Sequence, residues 1–319
     1  MEHPYWRPPS VDPPAHACSV AVFGAMNPTL AALRPVDRLL ALFNVAAAIL
    51  WLSAVGRFPS AATLCASHVA AVGLVFLSGL IGPRSSRFGR GLRDLYPIVL
   101  VALYWLEIGL VRDAFHTGTF DAFIARADFL LGGGSHLQEH WMPAMPWLWF
   151  SEIMFAAYWV YYPMVFAMPL VLVLAKRPEA GRVIFYTTLA YLACYVSYAV
   201  FPVDGPSHTM ERFVGPHMEG FFYRLVMAGT HGADSMGTAF PSSHVVGAVT
   251  VALLAWRWFS RPWAVVFAFG ALGVVLSTVY TQGHFAIDSL CGIAFAALLY
   301  AFVSPAVERW LTPAGSRAS

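Results

Sequence analysis

Charge is what this sequence most lacks. Asp, Glu, Lys and Arg make up 11 % of its 319 residues, against roughly a quarter in an ordinary soluble domain. A water-covered globule is thereby excluded. Cysteine is sparse as well: Cys18, Cys65, Cys194 and Cys291 are scattered, three of them in apolar runs. That is neither a disulfide framework nor a metal-ligand spacing. The net charge of +2 is spread over loops and forms no basic tract for nucleic acid. The start, Met1-Glu2-His3-Pro4, lacks the basic-then-apolar order of a cleaved signal peptide.

What is present is apolar length. Hydrophobic residues reach 59 %, and apolar windows of about 20 residues, each able to cross a hydrocarbon core of about 30 Å, recur along the chain. The pattern predicts an all-α polytopic membrane helix bundle with about eight transmembrane helices. The spans are Leu39–Val55, Ala61–Ile81, Tyr96–Leu110, Ile153–Ala175, Val183–Val200, Val245–Trp258, Trp263–Tyr280 and Ile287–Val303. The third and sixth are short as drawn and should extend a few residues. Residues 1–38 then form an N-terminal segment, 39–94 two helices with a basic loop, 95–304 the main bundle and 305–319 a tail.

Orientation follows from the cations. Arg34 and Arg38 precede the first span, and Arg84, Arg87, Arg90 and Arg93 crowd the second link. Lys176, Arg177 and Arg182 fill the fourth link, Arg257 and Arg261 the sixth, and Arg309 and Arg317 follow the last span. Eight crossings put all of these on one side, so both termini are expected to be cytoplasmic. The other side receives two long connections, about Val111–Glu152 and Phe201–His244. They carry Trp141, Trp147, Trp149, His136, His140, Asp204, His208, His217 and His231. The tryptophans suit interfacial anchoring. Phe120 to Leu131 suits a helix lying flat at the interface, ended by Gly132-Gly133-Gly134. With no strand before it and no lysine directly after it, that triplet is not a nucleotide loop.

Two polar clusters stand at the mouths of apolar runs on that side: Phe240-Pro241-Ser242-Ser243-His244 and Gly283-His284-Phe285-Ala286-Ile287-Asp288. Ionisable groups where a membrane helix meets water are costly unless used. His284 and Asp288 are four apart and share a helical face, so the carboxylate can accept the imidazole N–H and orient it. Ser242 or Ser243 can cap the helix that starts at His244, and the free N–H groups of its first turn attract anions. Two histidines beside an anion-binding helix start suggest phosphoryl transfer, one attacking phosphorus and the other protonating the leaving oxygen. Satisfied interfacial polar groups are the plainer alternative. Zinc is a weaker competitor, because the loop histidines lack compact ligand spacing.

These residues resemble the type 2 phosphatidic acid phosphatase (PAP2) superfamily, in particular its branch of inositol phosphorylceramide synthases and related bacterial membrane proteins. Pro241-Ser242-Ser243-His244 is similar to the family's Pro-Ser-Gly-His element. Ser277-Thr278 followed by His284 and Asp288 is similar to its Ser-Arg-x5-His-x3-Asp element, and Phe201-Pro202-Val203-Asp204-Gly205-Pro206 to an aromatic-Pro-x-x-x-Pro stretch of that branch. The resemblance implies a six-helix catalytic core within 95–304, His284 as nucleophile, Asp288 as its partner and His244 as general acid. It implies no cofactor, a phosphohistidine intermediate, and a membrane phospholipid or lipid-linked phosphate as substrate in a bacterial inner membrane, with the site on the non-cytoplasmic face. Thr278 stands where the phosphatase pattern has arginine, Ser243 where it has glycine, and no Lys-x6-Arg-Pro element is present. Those departures fit phosphoryl or head-group transfer to a lipid alcohol better than hydrolysis of phosphatidic acid or polyprenyl phosphates.

An oxygen-rich transition state needs positive partners. Among Arg57, Arg112, Arg126, Arg212 and Arg224, the pair Arg212 and Arg224 is favoured by its place just before His244, together with Ser242 and Ser243 as phosphate-binding residues. Glu107 and Glu152 are candidates for the wall of a substrate cavity, although Glu107 can also pair with Arg112. Tyr198 is a further candidate, but Tyr191, Tyr195 and Tyr198 at helical spacing also suit packing with hydroxyls reaching neighbours. A transporter is the competing reading of another class; related halves and broken mid-membrane helices would mark one.

Overall fold

The computed structural model describes residues 32–81, 85–230 and 235–312. Cys18, Arg84, His231 and Arg317 lie outside the described residues, as do most of the N-terminal segment and the end of the tail. The described chain is helical, with one isolated parallel bridge between Val203 and Thr238.

Helix α1 spans Pro35–Ala54, α2 Ala61–Gly79, α3 Arg87–Phe115, α4 Asp121–Leu131, α5 Leu137–Ala144 and α6 Leu148–Leu174. Then come α7 Ala180–Val200, α8 Phe221–Thr230, α9 Ser243–Trp258, α10 Arg261–Tyr280 and α11 Ala286–Leu311. Local sequence explains the boundaries. Ser86 caps α3 by accepting from Gly89 N at 3.1 Å, and proline occupies the first or second position of α1 and α10. Gly133 and Gly134 take φ of +70° and +103° where α4 ends. Both α6 and α11 contain a π turn, Pro163–Ala167 and Leu299–Val303, just before Pro169 and Pro305. A proline there removes the N–H that would continue the regular ladder.

Seven of these helices, α1, α2, α3, α6, α7, α10 and α11, are long and apolar enough to cross a membrane, and the protein is an integral membrane protein. The sixth expected span, α9, has only 16 residues, about 24 Å at 1.5 Å per residue. The third grows in the other direction, to 29 residues. Arg87, Arg90 and Arg93, expected in a loop, therefore sit in its first two turns.

Helix α7 is the most deeply buried of the seven and packs against α3 and α9; α9 in turn packs on α10 and α11, and α6 on α10. The tyrosines of α7 tie this centre together. Tyr191 shares a hydrogen bond with Tyr161 at 2.6 Å, Tyr195 donates to the Val101 carbonyl at 3.0 Å, and Tyr198 donates to the Pro241 carbonyl at 2.7 Å.

The basic residues gather at one end. Arg34 bonds Asp94 at the start of α3, Arg38 bonds the Leu311 carbonyl at the end of α11, and Arg182 pairs with Glu308 at 2.9 Å. Because α7 begins and α9 ends there, His244 and its neighbours lie at the opposite end.

Helices α1 and α2 pack on each other and join the bundle through a buried polar network. His68 Nδ1 meets Asn44 Oδ1 at 2.8 Å, and His68 Nε2 meets the Glu107 carboxyl at 2.9 and 3.1 Å. Asn44 Nδ2 donates to the Leu40 carbonyl and to Tyr104, which fixes its oxygen toward His68. Glu107 thus pairs with His68; Arg112 instead pairs with Asp113 and Asp204.

Candidate active site

The two polar clusters meet because two helix starts are locked together. Ser242 N donates to the Asp288 carbonyl at 3.2 Å. A Cβ on Gly292 would lie 3.1 Å from the Ser242 carbonyl oxygen, so glycine lets α11 approach α9 closely. Ser242 caps α9, its Oγ accepting from Val245 N at 3.4 Å. His244, in the first turn of α9, and His284, just before α11, face each other with ring centroids 5.7 Å apart.

The turn bearing His284 is built from the end of α10. The Thr278 carbonyl accepts from Gly283 N and His284 N at 3.1 and 3.0 Å, while the Thr278 hydroxyl bonds Ser289 at 3.0 Å. Thr278 is therefore fully buried packing that holds the turn. His284 Nδ1 lies 3.0 Å from the Ala239 carbonyl oxygen and 3.6 Å from Asp288 Oδ2. A carbonyl only accepts, so Nδ1 is the donor, and in the neutral ring Nε2 is the nitrogen with the lone pair. This revises the expected pairing: the backbone of Ala239, not Asp288, takes the imidazole hydrogen bond. Asp288 Oδ2 accepts from Phe285 N at 2.8 Å instead, leaving a fully buried carboxylate beside the ring.

The stretch resembling aromatic-Pro-x-x-x-Pro braces that carbonyl. Val203 N donates to the Gly237 carbonyl at 3.2 Å, and Ala239 N to the Val203 carbonyl at 2.8 Å. Gly205 takes φ of +83°, and a Cβ there would lie 2.6 Å from that of Ala239. Asp121, on α4, accepts from Asp204 N and Gly205 N at 2.9 and 2.8 Å. Asp128, also on α4, accepts from Ile287 N at 3.1 Å and meets His136 at 2.7 Å. The helix expected to lie flat thus staples both halves of the site.

A cavity of about 60 Å³ opens between the imidazoles, lined by His244, His284, Arg212, Asp204, Ser207, Thr281 and Tyr158 among others. Of the five arginines considered, Arg212 lines it. Arg112 is held by Asp113 and Asp204, Arg57 bonds the Ser53 carbonyl, Arg126 lies over the Phe129 ring and Arg224 is exposed on α8. Arg212 is positioned by Gln282, a residue sequence reasoning passed over. Gln282 Oε1 accepts from Phe213 N at 2.9 Å, and its Nε2 donates to the Glu211 carbonyl at 3.2 Å. The Thr281 hydroxyl has no hydrogen-bond partner among the described residues, and neither does Nδ1 of His244.

A second cavity, about 200 Å³ and mostly aromatic, adjoins the first. Trp105, Tyr158 and His244 line both. Tyr158, also missed from sequence, bonds His244 Nε2 through its hydroxyl at 3.0 Å. Ser243 lines this second cavity.

Three expected cavity residues stand elsewhere. Glu107 lines a separate cavity beside α2 with His68. Glu152 accepts from Phe222 N and Tyr223 N at 3.0 and 3.3 Å, capping α8. Tyr198 holds the Pro241 carbonyl. His217 is buried between the rings of Phe155 and Phe213, and burial lowers its pKa. It packs against aromatic rings away from the imidazole pair. Among the described residues, no group of three His, Cys, Asp or Glu side chains is placed to hold a metal ion.

Fold and site define an integral membrane helix bundle with paired imidazoles over a polar cavity. Residues 122–302 match the model of the PAP2 superfamily, more than half of the chain, and the protein belongs to that family. It is an enzyme of phosphatase or phosphotransferase type with a lipid-associated domain. No curated protein and no solved structure gives a match to this chain.

Proposed function

We propose that the protein transfers a phosphoryl or phospho-head group from a membrane lipid to a lipid alcohol through a phosphohistidine at His284. The observation that carries this reading is the meeting of a polar and an aromatic cavity at His244. The phosphate occupies the polar cavity, facing Arg212 and the Thr281 hydroxyl. Nε2 of His284 attacks phosphorus, the bond to the departing oxygen breaks, and His244 gives that oxygen its proton. The acceptor, with its apolar body among Trp105, Tyr161, Tyr191 and Tyr195, then presents a hydroxyl to His244. That ring takes the proton, the alkoxide attacks phosphorus, and His284 leaves.

Asp288 supports the reading by placing a carboxylate 3.6 Å from the ring that gains positive charge. Arg212 supplies a cation of the kind that the family's missing arginine and lysine would provide. The basic end of the bundle supports cytoplasmic termini, eight crossings with α9 as the short one, and a site on the non-cytoplasmic face.

Hydrolysis is the second reading, favoured by the polar lining of the first cavity, which admits water. Purified protein incubated with a phospholipid panel, with and without lipid alcohols, separates the two by mass analysis of all phosphorus-containing products. A new phosphorylated lipid built on the added alcohol is expected, a monoester for phosphoryl transfer or a diester for phospho-head-group transfer, and its formation should require His284. Free phosphate alone, whatever alcohol is added, would make the enzyme a phosphatase.

A further inference from the structure

The end of the bundle opposite the histidines carries a cavity of its own. It has a volume of about 370 Å³ and lies among the start of α7 and the ends of α9 and α11. Arg182, Arg257 and Arg309 line it with Tyr186, Tyr300 and a single carboxylate, Glu308. Glu308 is engaged by Arg182 at 2.9 Å, so the cavity holds more guanidiniums than carboxylates.

We propose that this cavity binds the phosphate head group of an anionic glycerophospholipid. Guanidinium forks match phosphate oxygens in geometry and stay charged. Depth fits a head group: Trp256 and Trp310 are exposed nearby, Arg261 lies over the Trp256 ring at 4.9 Å and Arg257 over the Trp258 ring at 5.7 Å. Such aromatic belts mark the level of lipid head groups. Leu298 and Phe302, one turn apart on α11 and flanking the cavity wall at Tyr300 and Ala301, are exposed, a surface for acyl chains. Part of the wall is the π turn Leu299–Val303 ahead of Pro305, a local distortion frequent at functional sites. The shared chemistry is a tetrahedral phosphate anion; the apolar surface flanking the cavity favours a lipid as its source over free phosphate.

Native mass spectrometry of the full-length protein in neutral detergent, titrated with phosphatidylglycerol, phosphatidylcholine or inorganic phosphate, tests this. Phosphatidylglycerol should be retained in preference to phosphatidylcholine. The double variant Arg257→Gln, Arg309→Gln should weaken that retention by about tenfold or more. Arg257→Lys, Arg309→Lys should keep most of it, and Arg177→Gln, a cation at the same end outside the cavity, should leave it unchanged. Equal retention of both lipids, or unchanged phosphatidylglycerol binding in a double Gln variant whose melting temperature matches wild type, would overturn the site. Inorganic phosphate held as tightly as phosphatidylglycerol, and lost in the same variant, would overturn the lipid as its source. None of these outcomes depends on catalysis at the opposite end.

Discussion

The imidazole of His284 donates its Nδ1–H in a hydrogen bond to the carbonyl of Ala239, 3.0 Å away. That bond sets the tautomer and leaves Nε2 as the atom with a lone pair. A main-chain acceptor cannot be removed by changing a side chain, which shapes what substitutions nearby should do.

Asp288→Asn is expected to slow the chemical step on the order of tenfold to a hundredfold. This is well short of the roughly 10⁴ lost where an aspartate itself fixes the tautomer. The amide oxygen can still accept from Phe285 N, so folding should be preserved. Asp288→Ala loses that acceptor as well and should cost about 1 kcal/mol of stability in addition. Single-turnover rates and thermal melts check both. A 10⁴ loss in folded Asp288→Asn would mean that the carboxylate, not Ala239, orients the ring during turnover.

Arg212→Ala should lower kcat by about 10²–10³, the usual loss of one preorganised donor to transition-state charge. Gln282→Ala should lower kcat/KM by about tenfold, because Gln282 holds both neighbours of Arg212. The two effects should not add, since each acts through the same guanidinium. Fully additive losses in the double variant would separate Gln282 from Arg212.

The apolar spans, the two histidines and the helix before Gly132 are legible in the sequence because each rests on local pattern. Partners that come from distant segments are not. Nothing in local spacing joins Glu107 to His68, 39 residues away, or Glu152 to the start of α8, 70 residues on. The i,i+4 spacing of His284 and Asp288 does place them on one face. It carries no sign that Ala239, 45 residues upstream, stands closer. Arg212 and Arg224 are equivalent by position before His244, and only the folded structure separates them, with Arg212 lining the cavity beside Gln282 and Arg224 exposed on α8. Tyr158 lies in an aromatic run where its hydroxyl is indistinguishable from those of Tyr161 and Tyr162.

Sidedness is open to direct labelling. Val214 is exposed at the histidine end and Pro178 at the basic end. In a background lacking the native cysteines, Val214→Cys in intact cells should react with a membrane-impermeant thiol reagent, and Pro178→Cys should react only after lysis. The reverse pattern would place the chemistry in the cytoplasm.

The central claim is that His284 carries the phosphoryl group. Wild-type protein quenched during turnover of a lipid labelled in its phosphate should yield an acid-labile, base-stable phosphohistidine on the peptide containing residue 284. In His244→Ala both formation and breakdown of the adduct should slow, since the same ring serves as acid and then as base, and the adduct should be absent from His284→Ala, which should also be inactive. Near-wild-type turnover by His284→Ala, or a label mapped to another residue, would contradict the account.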